Sequence, residues 1–95
     1  MTKVVNLRRE KYDIYIGRPG PFGNKFIIGK DGNRQEVIDK YRIWFYEKIN
    51  SDHSFAKLVY KTCSNKTLGC YCSPQACHGD IIAEWCDLVV KTNKI

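Results

Sequence analysis

Ninety-five residues set the scale of one domain, and 43% hydrophobic content with 12 aromatic residues (two Trp, six Tyr, four Phe) is too apolar for a disordered chain. Sixteen lysines and arginines against ten acids leave a formal charge of +6, which favours anionic partners such as nucleic acid, nucleotides or acidic proteins. No apolar run approaches the roughly 20 residues a spanning helix needs, and no signal-peptide core precedes the early charges, so the reading is cytoplasmic with no membrane partner.

Val4-Val5-Asn6-Leu7 reads as a first strand, and the alternation from Tyr12 to Ile16 as a second. Arg8 and Arg9 follow the first strand and extend a basic rim. Gly17 to Lys25 has to be a loop, because its glycines and prolines interrupt any regular element. It is neither a Walker loop nor a dinucleotide fingerprint, since the glycine spacing and the following helix do not fit. Within it Arg18 offers a planar fork to a phosphate, Lys25 a point charge and Asn24 an amide.

Phe26-Ile27-Ile28 is a short apolar run, an edge strand or a plug over the core. Asn33 followed by Glu36 is a capping box, and Val37, Ile38, Tyr41, Trp44, Phe45 and Ile49 recur at helical spacing, so a helix is expected over 34–50. That periodicity assigns Tyr41, Trp44 and Phe45 to the core. A shorter helix is expected over 54–62, a third strand able to pair centrally over 66–72, and a last helix over 79–90. Together these make a small single α/β domain over residues 1–95, with a short three- to four-stranded sheet and about three helices.

The densest chemistry lies at the end of the third strand. Cys70, Cys72, Cys77 and His78 fall within nine residues, followed by Gly79 and Asp80. In a reducing compartment, clustered cysteines point to metal binding or reactivity more than to disulfides. Three readings stand. Cys70, Cys72, Cys77 and His78 supply a Cys3His set suited to zinc, although C-x-C-x4-C-H is weaker than paired C-x-x-C knuckles. Alternatively, a helix beginning near Cys77 presents free amides and a positive dipole to an anion, with Gly79 admitting close approach. That position would lower the Cys77 pKa, making Cys77 a candidate nucleophile and His78 a candidate acid–base group at the exposed helix end. The third reading is a tight junction packed with small thiols, with Asp80 as an ordinary cap. Cys63 and Cys86 lie within apolar helical patterns and read as inert core.

Val4-Val5-Asn6-Leu7-Arg8, Tyr15-Ile16-Gly17-Arg18-Pro19, Phe22-Gly23-Asn24 and Leu68-Gly69-Cys70-Tyr71-Cys72 with Cys77-His78-Gly79-Asp80 together resemble the domain-of-unknown-function family 4326. That family consists of small proteins of bacteriophages and bacteria, and the resemblance runs over nearly the whole chain. The family pattern has Trp where Phe22 and Tyr71 stand, and Pro where Lys25 stands. The closing Cys-His segment is also similar to the helix start of the domain-of-unknown-function family 488. The resemblance implies an α/β framework and a phage origin, hence the host cytoplasm, but no reaction.

The function expected is binding of an anionic, phosphate-bearing ligand (a nucleotide or nucleic acid) at the Cys-His helix start. Arg8, Arg18, Asn24 and Gly79 would contribute to the binding. The alternative is a zinc-stabilised, non-catalytic module that binds a host protein or nucleic acid.

Overall fold

The computed structural model describes residues 2–18, 20–72 and 75–92; Pro19 of the glycine loop and Ser73-Pro74 of the cysteine segment lie outside them, as do Met1 and residues 93–95. Six elements follow one another: β1 (Lys3–Asn6), β2 (Ile14–Tyr15), α1 (Arg34–Ser51), α2 (His53–Cys63), β3 (Thr67–Cys70) and α3 (Gly79–Thr92). The three strands form one parallel sheet in the order β1-β3-β2, so the third strand is central. This is a mixed α/β fold, as the alternation of periods implied.

β2 is shorter than the alternation over Tyr12–Ile16 implied. Asp13 has left the ladder: its carboxylate accepts the Thr67 amide at 2.8 Å, while its own amide donates to the Thr67 carbonyl. β3 likewise stops at Cys70 rather than Cys72. Its neighbour β1 turns away at Asn6, whose carbonyl takes the Arg9 and Glu10 amides and whose side chain takes the Arg8 amide. The Phe26–Ile28 run is not a strand. Ile28 makes one isolated bridge to Gly32, and Phe26 packs against the core.

α1 begins where the capping box predicted. Asn33 Oδ1 accepts the Glu36 amide and Glu36 Oε1 accepts the Asn33 amide, each at 2.9 Å. Its buried face carries Val37, Ile38, Tyr41 and Phe45. Asp52 both ends α1 and opens α2: its amide donates to the Lys48 carbonyl and its carboxylate accepts the Phe55 amide. After α2 the chain reverses through Asn65 at φ 58°, a left-handed conformation that asparagine tolerates better than most residues.

The pairing register sorts the sheet into two faces. Val4 and Ile14 both pair with Leu68, one from each side, and Cys70 and Ile16 continue their side by the two-residue pleat. This side joins the helices in one core that includes Phe45, Val59, Ile81, Ile82 and Trp85. Val5, Gly69 and Tyr15 share the other face, and Val5, though buried, stands outside that core. The connection Leu7–Asp13 brings Tyr12 onto this second face. A Cβ on Gly69 would lie 2.7 Å from Tyr12 Cγ, so only glycine lets the ring sit there. Among the described residues no helix is long and apolar enough to cross a membrane.

Candidate functional site

Beyond the carboxyl ends of β2 and β3 the chain leaves a cleft of about 460 Å³. Open parallel sheets bind ligands at this edge, because the connections diverge there. Buried Val37, Ile38, Cys70 and Cys77 form its inner lining, and Tyr15, Tyr71, Ile27, Ile28, Arg18 and Arg34 its outer part. Cys72, Ala76, Asn24 and His78 also border it.

His78 joins three segments. Its Nε2 lies 2.7 Å from the Ile16 carbonyl, which only accepts, so Nε2 carries the hydrogen and Nδ1 is the ring's acceptor. The ring meets Tyr41 edge-on at 5.0 Å, and the Tyr41 hydroxyl donates to the Phe22 carbonyl at 2.8 Å. Burial holds the imidazole below its ordinary pKa of 6.5; the Ile16 contact and Asp80 act against this, and Arg18 acts with it. His78 is thus a neutral, largely enclosed wall of the cleft rather than an exposed helix end.

The start of α3 differs from the sequence expectation. Cys77 donates its amide to Asp80 Oδ2 at 3.2 Å, its Sγ accepts the Gly79 amide, and its carbonyl accepts the Asp80 amide. The Ile81 and Ile82 amides reach the His78 carbonyl. The first amides of the helix are therefore occupied within the turn, with Asp80 as a cap. Gly79 is buried: a Cβ there would stand 2.6 Å from Ile16 Cδ1 and 3.1 Å from Val4 Cγ1. Its small size seats α3 on the sheet and does not open the backbone to the cleft.

Cys70 and Cys77 lie sulfur to sulfur at 3.3 Å, and all five cysteines are thiols. The bond to Cys70 first, and burial second, push the Cys77 thiol far above the ordinary range; the Gly79 amide opposes this only in part. The expected low-pKa nucleophile is therefore a protonated thiol, because Cys70 and an apolar enclosure outweigh the helix end. Burial also pushes Cys63 and Cys86 up to about 12.

The Cys3His set does not assemble. Among the described residues no three His, Cys, Asp or Glu side chains are grouped to hold a metal ion, and His78 directs Nε2 to the Ile16 carbonyl.

The remaining site residues divide. Arg18 is exposed and borders the cleft. Asn24 borders it too, but its Nδ2 donates to the Val37 carbonyl and its Oδ1 accepts the Phe26 amide, so it ties the loop to α1. Gly23 makes that loop compact, since a Cβ would lie 2.9 Å from the Arg18 amide nitrogen. Arg8 is outside the cleft lining; its guanidinium lies 5.1 Å over the Tyr71 ring. Lys25 is also outside the cleft lining and sits over Trp44 at 5.3 Å and Phe26 at 5.4 Å.

Arg34 was missed by the sequence reading. It opens α1, borders the cleft and donates from Nη1 to the Ala76 carbonyl at 3.2 Å. One signal was present: a cation in the first turn of a helix opposes the helix dipole and calls for another reason to be there.

No solved structure matches this chain. It is 36% identical over 84 residues to a protein of Enterobacteria phage T4 described as an uncharacterized 12.4 kDa protein in the nrdA-td intergenic region, covering 87% of this chain and 75% of the phage protein. The family described as Domain of unknown function (DUF4326) matches residues 2–88, and the chain belongs to that family.

Proposed function

We propose that the cleft binds a phosphate-bearing ligand, a nucleotide or the end of a nucleic acid. The observation that carries this reading is the meeting of Arg18 and Arg34, from a loop and a helix start, on one cleft at the carboxyl edge of a parallel sheet. Guanidinium forks suit phosphate oxygens, and the Tyr15 and Tyr71 rings offer faces to a base. His78 contributes its Nδ1 acceptor, and Cys77 a protonated, apolar wall. The reading is one of binding: the bond to Cys70 and burial keep the Cys77 thiol protonated, which removes it as a nucleophile at neutral pH. A cytoplasmic setting goes with it.

Thermal unfolding with millimolar inorganic phosphate, nucleoside phosphates and 5′-phosphorylated dinucleotides tests it. A ligand at about 100 times its Kd should stabilise the fold by about 2.7 kcal/mol. Arg18→Ala should melt like the parent without ligand and lose that response. No stabilisation by any phosphate compound overturns the reading.

A further inference from the structure

The helices gather on one face of the sheet, and the other face is covered largely by the Leu7–Asp13 connection. Parallel sheets are normally buried on both sides, so a second face left to one loop is unusual. What that face displays is specific. Tyr12, Tyr15 and Tyr71, at 44%, 38% and 56% exposure, are the only largely exposed aromatic residues among the described ones. All three surround Gly69. Tyr12 lies against it, Tyr15 is its register partner, and Tyr71 follows two residues on and meets Tyr15 edge-on at 6.2 Å. Tyrosines scattered by chance over the surface would not converge on one glycine.

The cations lie beside the rings. Arg8, Arg9 and Lys11 are exposed on the same connection as Tyr12, and Arg8 lies over Tyr71. Of the two acids on this connection, Glu10 pairs with Lys3 at 3.6 Å and Asp13 accepts the Thr67 amide at 2.8 Å. None of the aliphatic residues of the three strands is exposed, so what the face offers is rings and cations. Rings interleaved with cations match a single strand, whose bases stack while its phosphates meet the arginines and lysine. A duplex keeps its bases stacked internally, out of reach of such a platform.

We propose that this face binds single-stranded nucleic acid, with Tyr12 and Tyr71 as stacking rings and Arg9 and Lys11 on the phosphates. Tyr15 and Tyr71 also border the cleft, so the strand continues from the cleft onto the face. In that continuity, and in taking the ligand to carry phosphate, the inference rests on the reading given above.

Fluorescence anisotropy with labelled single strands of about twelve nucleotides, DNA and RNA, tests it at low and physiological salt. Tyr12→Leu keeps an apolar cover on Gly69 but removes the ring. It should weaken binding roughly 5- to 100-fold with an unchanged melting temperature. The pair Arg9→Glu and Lys11→Glu should flatten the salt dependence. Equal affinity for duplex, displacement of the oligonucleotide by polyglutamate as readily as by a single strand, or full binding by Tyr12→Leu overturns the proposal. Mononucleotide stabilisation without oligonucleotide binding overturns it and leaves the cleft reading standing. Oligonucleotide binding that Tyr12→Leu weakens, without any mononucleotide response, sinks the cleft reading and supports the face.

Discussion

Cys77 and His78 are neighbours whose surroundings push them in opposite directions, and both end uncharged at neutral pH. Cys77 shares its proton-bearing sulfur with Cys70 at 3.3 Å inside the core, which disfavours the thiolate. Cys72 is half-buried while the other four cysteines are buried. Sub-stoichiometric iodoacetamide near neutral pH should therefore modify Cys72 ahead of Cys77, read by peptide mass spectrometry; preferential labelling of Cys77 would contradict the packing described. For His78, burial lowers the folded-state pKa below 6.5, so at lower pH the unfolded chain takes up a proton that the native state resists. Its contribution is intact above 6.5 and is lost as the pH falls below that value, towards the folded-state pKa. Melting temperatures followed from neutral pH downward should decline less steeply in His78→Gln, which keeps a donor for the Ile16 carbonyl. Parallel profiles would place the acid sensitivity elsewhere.

At the scale of elements, α3 carries the core, and the two residues that lead into it, Cys77 and His78, border the cleft. Its buried face of Ile81, Ile82, Trp85, Cys86 and Val89 packs on the sheet and the other helices. Trp85 meets Phe45 of α1 at 6.0 Å, edge to face. Truncation of a buried aromatic costs about 3–5 kcal/mol, whereas loss of the single hydrogen bond of His78 costs about 1–3 kcal/mol. Trp85→Ala should accordingly lower the denaturant midpoint well beyond His78→Ala. Equal losses would mean that the Tyr41–His78–Ile16 junction holds the fold as firmly as the helix core does.

Across the whole molecule, three short parallel strands separate two chemistries. On the helix side the chain buries thiols, aliphatics and the stacked rings of Tyr41 and Phe45. On the other side it leaves tyrosines and cations within reach of solvent, and the cleft lies at the edge where the two sides meet. The crossover can be short because β1 spans four residues and β2 two, so little chain is needed to return to the start of the next strand.

Local rules determined much of this from the sequence alone. The capping box at Asn33 and Glu36, the helical spacing from Val37 to Phe45 and the apolar stripe of α3 are periodic or adjacent, so short-range physics decides them. That Cys70, Cys72, Cys77 and His78 would gather in one place was legible for the same reason, since they are close in sequence, and all four border the cleft. Their character was not. The state of Cys77 depends on a sulfur seven residues away, and that of His78 on a carbonyl 62 residues away. Gly79 reads as an opening until Ile16 and Val4 are seen to fill its space. Arg34 joins Arg18 only when α1 packs beside the cysteine segment, and Tyr12, Tyr15 and Tyr71 meet around Gly69 only through strand pairing and the path of the Leu7–Asp13 connection. Burial and long-range pairing set protonation, access and shared surface, and none of these is carried by residue type or spacing.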